Sequence, residues 1–176
     1  MKKILLASVF AVVGAMNVHA ADFGGAYVGG DVGYSTSDIT TDDAKGFTGG
    51  ANAGYGVELG KWYIGGEIGG GFTGVKGDLA TGELEKKNYY NGQARLGYKA
   101  HDKVLAYGVL GLEGAEFEAN GVSERDWGYK YGVGVETFVK DNITVRGQVD
   151  YVDWQGENGL PGEGEWRTSL GVAYHF

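Results

Sequence analysis

The 176-residue chain contains no cysteine. That removes a disulfide framework, a thiolate metal site, a cysteine nucleophile and a lipid-modified cysteine. Proline is reduced to a single residue, and no uninterrupted apolar run approaches the roughly 20 residues that a transmembrane helix needs. Positive charge is scarce as well: 15 Lys and Arg stand against 23 Asp and Glu, a formal net charge of −8. So acidic a chain is poorly suited to a phosphate backbone, and no nucleic-acid partner is expected. Glycine, by contrast, is abundant at 35 residues, and aromatics make up 13%. That aromatic content supplies buriable apolar area and argues against disorder.

Lys2 and Lys3 precede an uncharged stretch from Ile4 to Met16, and Val18-His19-Ala20 puts small residues at −3 and −1 of a cut before Ala21. This is the layout of a secretory signal peptide, so residues 1–20 are expected to be an export signal and 21–176 a single domain. The apolar run is too short for an anchor helix. If the protein sits in a membrane, it crosses as strands.

The remainder repeats one pattern, with apolar or aromatic residues at every second position and glycine or polar residues between them. Strict alternation of this kind predicts half-buried strands. In one segment Phe47, Ala51, Ala53, Tyr55, Val57 and Leu59 alternate with Thr48, Asn52 and Glu58. In the next, Trp62, Ile64, Ile68 and Phe72 alternate with Tyr63, Glu67 and Thr73. Eight segments fit, at about 24–34, 46–59, 62–73, 88–99, 104–116, 127–139, 143–154 and 166–176. Both faces of the 104–116 segment begin apolar, and placing Glu113 inward makes Ala106, Gly108, Leu110 and Leu112 outward. Connections alternate too. Gly60-Lys61, Ala100–Lys103 and Lys140–Asn142 are short, whereas the others, such as Ser35–Lys45 and Gly74–Lys87, run to roughly nine to fourteen polar residues. Short turns on one side and long loops on the other predict an all-β, eight-stranded antiparallel up-and-down transmembrane β-barrel.

Which face is apolar decides between such a barrel and a soluble ligand-binding one. Rings lie at the upper ends of the apolar rows (Tyr34, Phe47, Phe72, Tyr90, Tyr129, Tyr151, Trp166) and again at the lower ends (Trp62, Tyr98, Tyr174, Phe176). Two aromatic girdles match two membrane–water interfaces. From Trp62 to Phe72 is ten steps of ~3.3 Å, and a tilt of roughly 40° projects that to the ~25 Å of an outer-membrane apolar band. The opposite rows carry Asp31, Asn52, Glu67, Gln93, Arg95, Glu113, Lys130, Glu136, Arg146, Gln148, Asp150 and Arg167. They suit a polar bore. Glycines on the same rows, such as Gly54 and Gly134, leave room for those long side chains.

Four motifs then carry a resemblance: Ala26-Tyr27-Val28-Gly29-Gly30, Gly132-Val133-Gly134-Val135-Glu136, Asp141-Asn142 and the terminal Tyr174-His175-Phe176. Over the whole mature chain they resemble the small Gram-negative outer-membrane β-barrels: the OmpA-like transmembrane domain, OmpX, opacity-type and related porin-family proteins. The resemblance implies an outer-membrane address and a surface role. Phe176, with apolar residues at alternate positions before it, is similar to the signal that the barrel-assembly machinery reads. Unlike OmpA, the chain stops at that Phe, so no cell-wall tether is expected.

Candidate chemistry is sparse. Enzymes on such scaffolds use His with Ser or with acids, but His101 lies in a short turn and His175 beside the C-terminus, neither with a Ser two residues away. We expect no enzyme, because a nucleophile without a positioned base is poorly activated. No spacing fits a calcium loop, so neither a metal nor another cofactor is expected. The inward charges Asp31, Glu67, Glu113, Glu136 and Asp150 nearly balance Arg95, Lys130, Arg146 and Arg167, as buried charges that need partners should. Paired charges plugging the bore fit a structural and surface-interaction role, and the alternative is a narrow pore or small-solute conduit. The loops are acidic through Asp38, Asp42, Asp43, Glu83, Glu85, Glu124, Asp126, Glu157 and Glu163. Lys45, Lys76, Lys86, Lys87 and Arg125 are placed to approach lipopolysaccharide phosphates. The expected partners are therefore outer-membrane lipids, lipopolysaccharide and the assembly machinery.

Overall fold

The computed structural model describes residues 22–37, 44–74, 76–79, 82–119, 122–155 and 164–176. The expected export signal and the acidic loop residues Asp38, Asp42, Asp43, Glu157 and Glu163 lie outside these ranges. Period-two alternation sends successive side chains to opposite faces, and each alternating segment is a strand. They are β1 (Gly25–Ser37), β2 (Ala44–Leu59), β3 (Trp62–Thr73), β4 (Lys76–Leu79), β5 (Gly82–His101), β6 (Val104–Ala119), β7 (Val122–Lys140), β8 (Ile143–Trp154) and β9 (Gly164–His175).

All pairings are antiparallel, and β1 closes on β9 with Gly30 opposite Val172. Closure satisfies the backbone groups that an open edge would leave bare in hydrocarbon. Eight strands form the barrel. The four-residue β4 stands above it, hairpinned to β5 with Leu79 opposite Gly82 and pairing with β2 at Lys45 opposite Lys76.

At the short-turn end, Gly60 adopts φ +68° in the β2–β3 turn, a left-handed value that glycine accepts without a Cβ clash. The register slips between Lys99 and His101 and between Phe138 and Lys140, so the other two turns tighten to Asp102-Lys103 and Asp141-Asn142. At the opposite end the strands overrun the expected limits. The β5–β6 ladder continues to Leu84 opposite Ala119, and β6–β7 continues to Ala119 opposite Val122. Only two residues join β6 to β7, where the polar run had predicted a long loop. Alternation of hydrophobicity marks only that part of a strand with lipid on one side. Where water bathes both faces, pairing continues with polar residues and the signal fades.

The outer wall carries Val32, Ile68, Leu110, Val133 and Leu170, each more than half exposed to the surroundings. In β6 the ambiguity resolves with Leu110 and Leu112 outward and Leu105, Tyr107 and Val109 buried inside. Its double apolar face has a cause: the three inward side chains belong to an apolar layer with Phe23, Tyr63 and Phe138 near the short-turn end of the bore. A second apolar layer, of Tyr89, Ala115, Val152 and Trp154, lies toward the loop end. The charged residues lie between these layers and beside them, with Glu136 opposite Leu105 and Glu165 opposite Val152.

Candidate functional site

Among the described residues, charged and polar side chains gather in the bore. Arg95 reaches in from β5 and is 1% exposed. Its guanidinium makes a close ion pair with Glu136 of β7, lies 3.6 Å from Glu67 of β3, and donates to the Tyr27 hydroxyl at 3.0 Å. Three rings surround it. The guanidinium carbon is 4.0 Å from the Tyr107 ring centroid and 5.6 Å from those of Tyr27 and Tyr63. A cation over aromatic faces gains quadrupole attraction that strengthens when water is excluded.

Glu67 is the hub of this layer. It accepts from the Tyr27 hydroxyl at 2.9 Å, from Gln93 Nε2 at 2.8 Å and from Arg146 Nη1 at 2.6 Å. Glu136 accepts from the Thr144 hydroxyl at 2.7 Å and lies 3.2 Å from His175 Nε2. Asp31 accepts from Asn52 Nδ2 at 3.0 Å and stands 4.0 Å from Arg146. Higher up, Asp150 takes Gln148 Nε2 at 2.9 Å and Lys130 at 3.2 Å, and Tyr107 donates to Gln148 Oε1 at 2.9 Å.

A second centre forms near the loop end. Arg167 of β9 grips Glu113 with both terminal nitrogens, at 2.9 and 2.7 Å, and donates to Glu165 at 2.9 Å. Ser35 donates to Glu165 at 2.6 Å. The Arg167 guanidinium carbon also sits 4.7 Å from the Tyr89 ring centroid. Fork-on-carboxylate geometry of this kind is the strong form of the ion pair.

Between the two centres lies one small polar cavity, lined by Asp31, Asn52, Gln93 and Lys130 among others, with about 30 Å³ open to the centres of water molecules. A water needs roughly 10–15 Å³ on that measure, so a few fit. At the levels of Arg95 and Arg167, buried side chains fill the space around each guanidinium. Glycine makes the filling possible: Tyr107 lies over Gly134, its register partner, and Tyr27 over Gly54, leaving no space for a Cβ at either.

All nine charged residues picked from the alternating rows face this bore. Asp31 is half-buried, and the other eight are buried. Glu165, buried at 3%, was missed, although it shares the parity of Arg167, because the last segment was started one residue too late. The tyrosines around Arg95 share its inward face, but alternation alone assigns them no partner. The outward rings pair across strands, Tyr34 with Phe47, Tyr151 with Trp166 and Trp62 with Tyr98, centroids 5.0–5.3 Å apart, and along the last strand Tyr174 meets Phe176 at 5.1 Å. Tyr90 meets Trp127 at 5.3 Å, a ring the girdle had not included. Phe72 and Tyr129 also face outward. Phe176 donates its backbone N–H to Ala26 O at 3.0 Å, fastening the C-terminus to β1. Among the described residues no cluster of three or more His, Asp or Glu is arranged to hold a metal ion.

Residues 5–176 match a family model described as outer membrane protein beta-barrel domain. The chain is similar to the 22 kDa outer membrane protein of Rhizobium leguminosarum bv. viciae, with 33% identity over 146 residues, 79% of this chain and 68% of that protein. Among solved structures, Neisserial surface protein A superposes with a TM-score of 0.63 at 19% identity, covering 87% of this chain and 98% of that one. Ail, the attachment invasion locus protein of Yersinia pestis, gives 0.60 at 21% identity over 88% and 100%. OprG from Pseudomonas aeruginosa gives 0.52 at 15% identity over 90% and 99%. At such identities the likeness is one of fold.

Proposed function

The chain belongs to the outer membrane protein β-barrel family and resides in the outer membrane of a Gram-negative cell, and from that premise we propose that it is a closed structural barrel that presents acidic loops at the surface. One observation carries this reading. The bore is crossed by interlocked side chains, Arg95 with Glu136 and three tyrosine rings at one level and Arg167 with Glu113 and Glu165 at another. An eight-stranded interior is just wide enough to be filled by side chains, and taking one member of a buried pair away leaves the other charge uncompensated.

Planar-bilayer recordings test it. The purified protein is expected to give no steady, salt-dependent current steps. Reproducible steps scaling with salt would replace this reading with a narrow solute conduit.

The same reading names partners. The outward apolar wall and its paired rings fit outer-membrane lipid, and the loop lysines fit lipopolysaccharide phosphates. Phe176 fits recognition by the assembly machinery. Deleting it is expected to lower the amount of heat-modifiable, surface-labelled barrel in cells several-fold, and wild-type surface levels would remove Phe176 from that role.

A further inference from the structure

The first three described residues, Asp22–Gly24, precede the first strand, and no ladder hydrogen bonds hold them there. Such a terminus is ordinarily loose. Phe23 is nevertheless 1% exposed, as buried as Arg95 in the middle of the bore. Its ring lies 4.7 Å from that of Phe138 and 6.3 Å, edge-on, from His175, in the apolar layer that includes Leu105 and Tyr63.

Three features direct it there. Gly25 adopts φ +91°, a value that side-chain-bearing residues avoid, at the point where the chain turns from β1. The Phe23 N–H donates to Glu58 Oε1 at 2.9 Å, and Glu58 is itself held by an ion pair with Lys99, tying β2 to β5 beneath the ring. The Gly24 N–H donates to Asp22 Oδ1 at 2.7 Å, which shapes the turn. The short turns mark this as the periplasmic end.

We propose that Asp22–Gly24 form a periplasmic stopper, with Phe23 as the bung, Gly25 as the bend that aims it and Glu58–Lys99 as the clamp on its backbone. The stopper keeps water from the apolar layer around Leu105 and Phe138, below the Arg95 charges. It deepens the reading of a closed barrel at one end and is separable from it, because the charge-filled bore above stays shut to ions when the stopper is removed.

The absence of cysteine makes the test clean. A single Leu105→Cys reporter in the layer that Phe23 covers, and separately a Val152→Cys reporter in the outer apolar layer, are introduced into the full chain and purified from outer membranes. Each is timed for reaction with a small, charged, membrane-impermeant thiol reagent. Leu105→Cys is expected to react slowly, and Phe23→Gly to speed it at least tenfold while leaving Val152→Cys unchanged. Gly25→Val, which retains the ring but strains the bend, is expected to speed Leu105→Cys as well. Fast reaction at Leu105→Cys with Phe23 present, or no acceleration without it, overturns the stopper. Equal acceleration at both reporters also overturns it, since Phe23 would then hold the whole barrel together rather than close one end. Current steps from the unmodified protein would sink the closed-barrel reading instead, whatever the labelling shows.

Discussion

Two arginines are buried in the same bore and are neutralised in different ways. Arg167 lies in a cradle of carboxylates, forked onto Glu113 and shared with Glu165. Arg95 has one close carboxylate, Glu136, with Glu67 farther off, and otherwise faces the rings of Tyr107, Tyr27 and Tyr63. Around Arg167 two anions share one guanidinium, and Glu165 also accepts from the Ser35 hydroxyl. Around Arg95 the anions have other partners: Glu67 keeps Arg146, Tyr27 and Gln93, and Glu136 keeps Thr144 and His175. A buried charge can thus be compensated mainly by a fork onto carboxylates or by one close carboxylate together with aromatic faces, and the cost of losing it differs accordingly.

The largest effect should come from breaking the first arrangement. Arg167→Met removes the cation that forks onto Glu113 and bonds Glu165, carboxylates 0% and 3% exposed, and breaking a buried pair by removing one partner costs ~3–5 kcal/mol. Arg95→Met strips charge-assisted bonds from anions that retain other donors, and the expected cost is nearer ~2–3 kcal/mol. Urea unfolding in lipid vesicles, followed by tryptophan fluorescence, measures both. Adding Glu113→Gln should recover part of the Arg167→Met loss. Equal losses at the two arginines, or no recovery, would erase the distinction.

Much of this bore was legible from residue order because alternation carries the information twice, in the apolar row and in the polar one. Once Glu113 was set inward, the parity of Leu110 and Leu112 followed, and the same logic picked out Arg95, Glu136 and Arg167 before any partner was known. What escaped depends on contacts that period two cannot encode. Glu165 fell outside because the segment boundary was drawn at Trp166, the first outward ring. The rings around Arg95 were hidden because a tyrosine on an inward row reads as filler until the stagger of neighbouring strands sets it over a glycine, as Tyr107 over Gly134. Phe23 lies ahead of any alternating run, so only the bend at Gly25 and the clamp at Glu58 bring it inside. The tall hairpins and β4 were missed for a different reason, since strands standing in water need no apolar row.

The smallest expected effect is the most discriminating. If the rings stabilise Arg95 through their faces, a double-mutant cycle between Tyr107→Leu and Arg95→Met should show a coupling of ~0.5–2 kcal/mol. Tyr107→Phe isolates the hydroxyl. It removes only the 2.9 Å bond to Gln148, and its cycle with Arg95→Met should show less coupling than the leucine cycle. The matching pair across the bore is Tyr89 and Arg167, whose ring-to-guanidinium distance is 4.7 Å against 4.0 Å for Tyr107 and Arg95. With its donors already committed to carboxylates, Arg167 has less to gain from a ring, so the cycle of Tyr89→Leu with Arg167→Met should give the weaker coupling. Urea midpoints for the single and double variants decide the order. If the Tyr89 cycle matches or exceeds the Tyr107 cycle, the rings act by filling space alike at both levels, and Arg95 owes its stability to Glu136 and Glu67 alone.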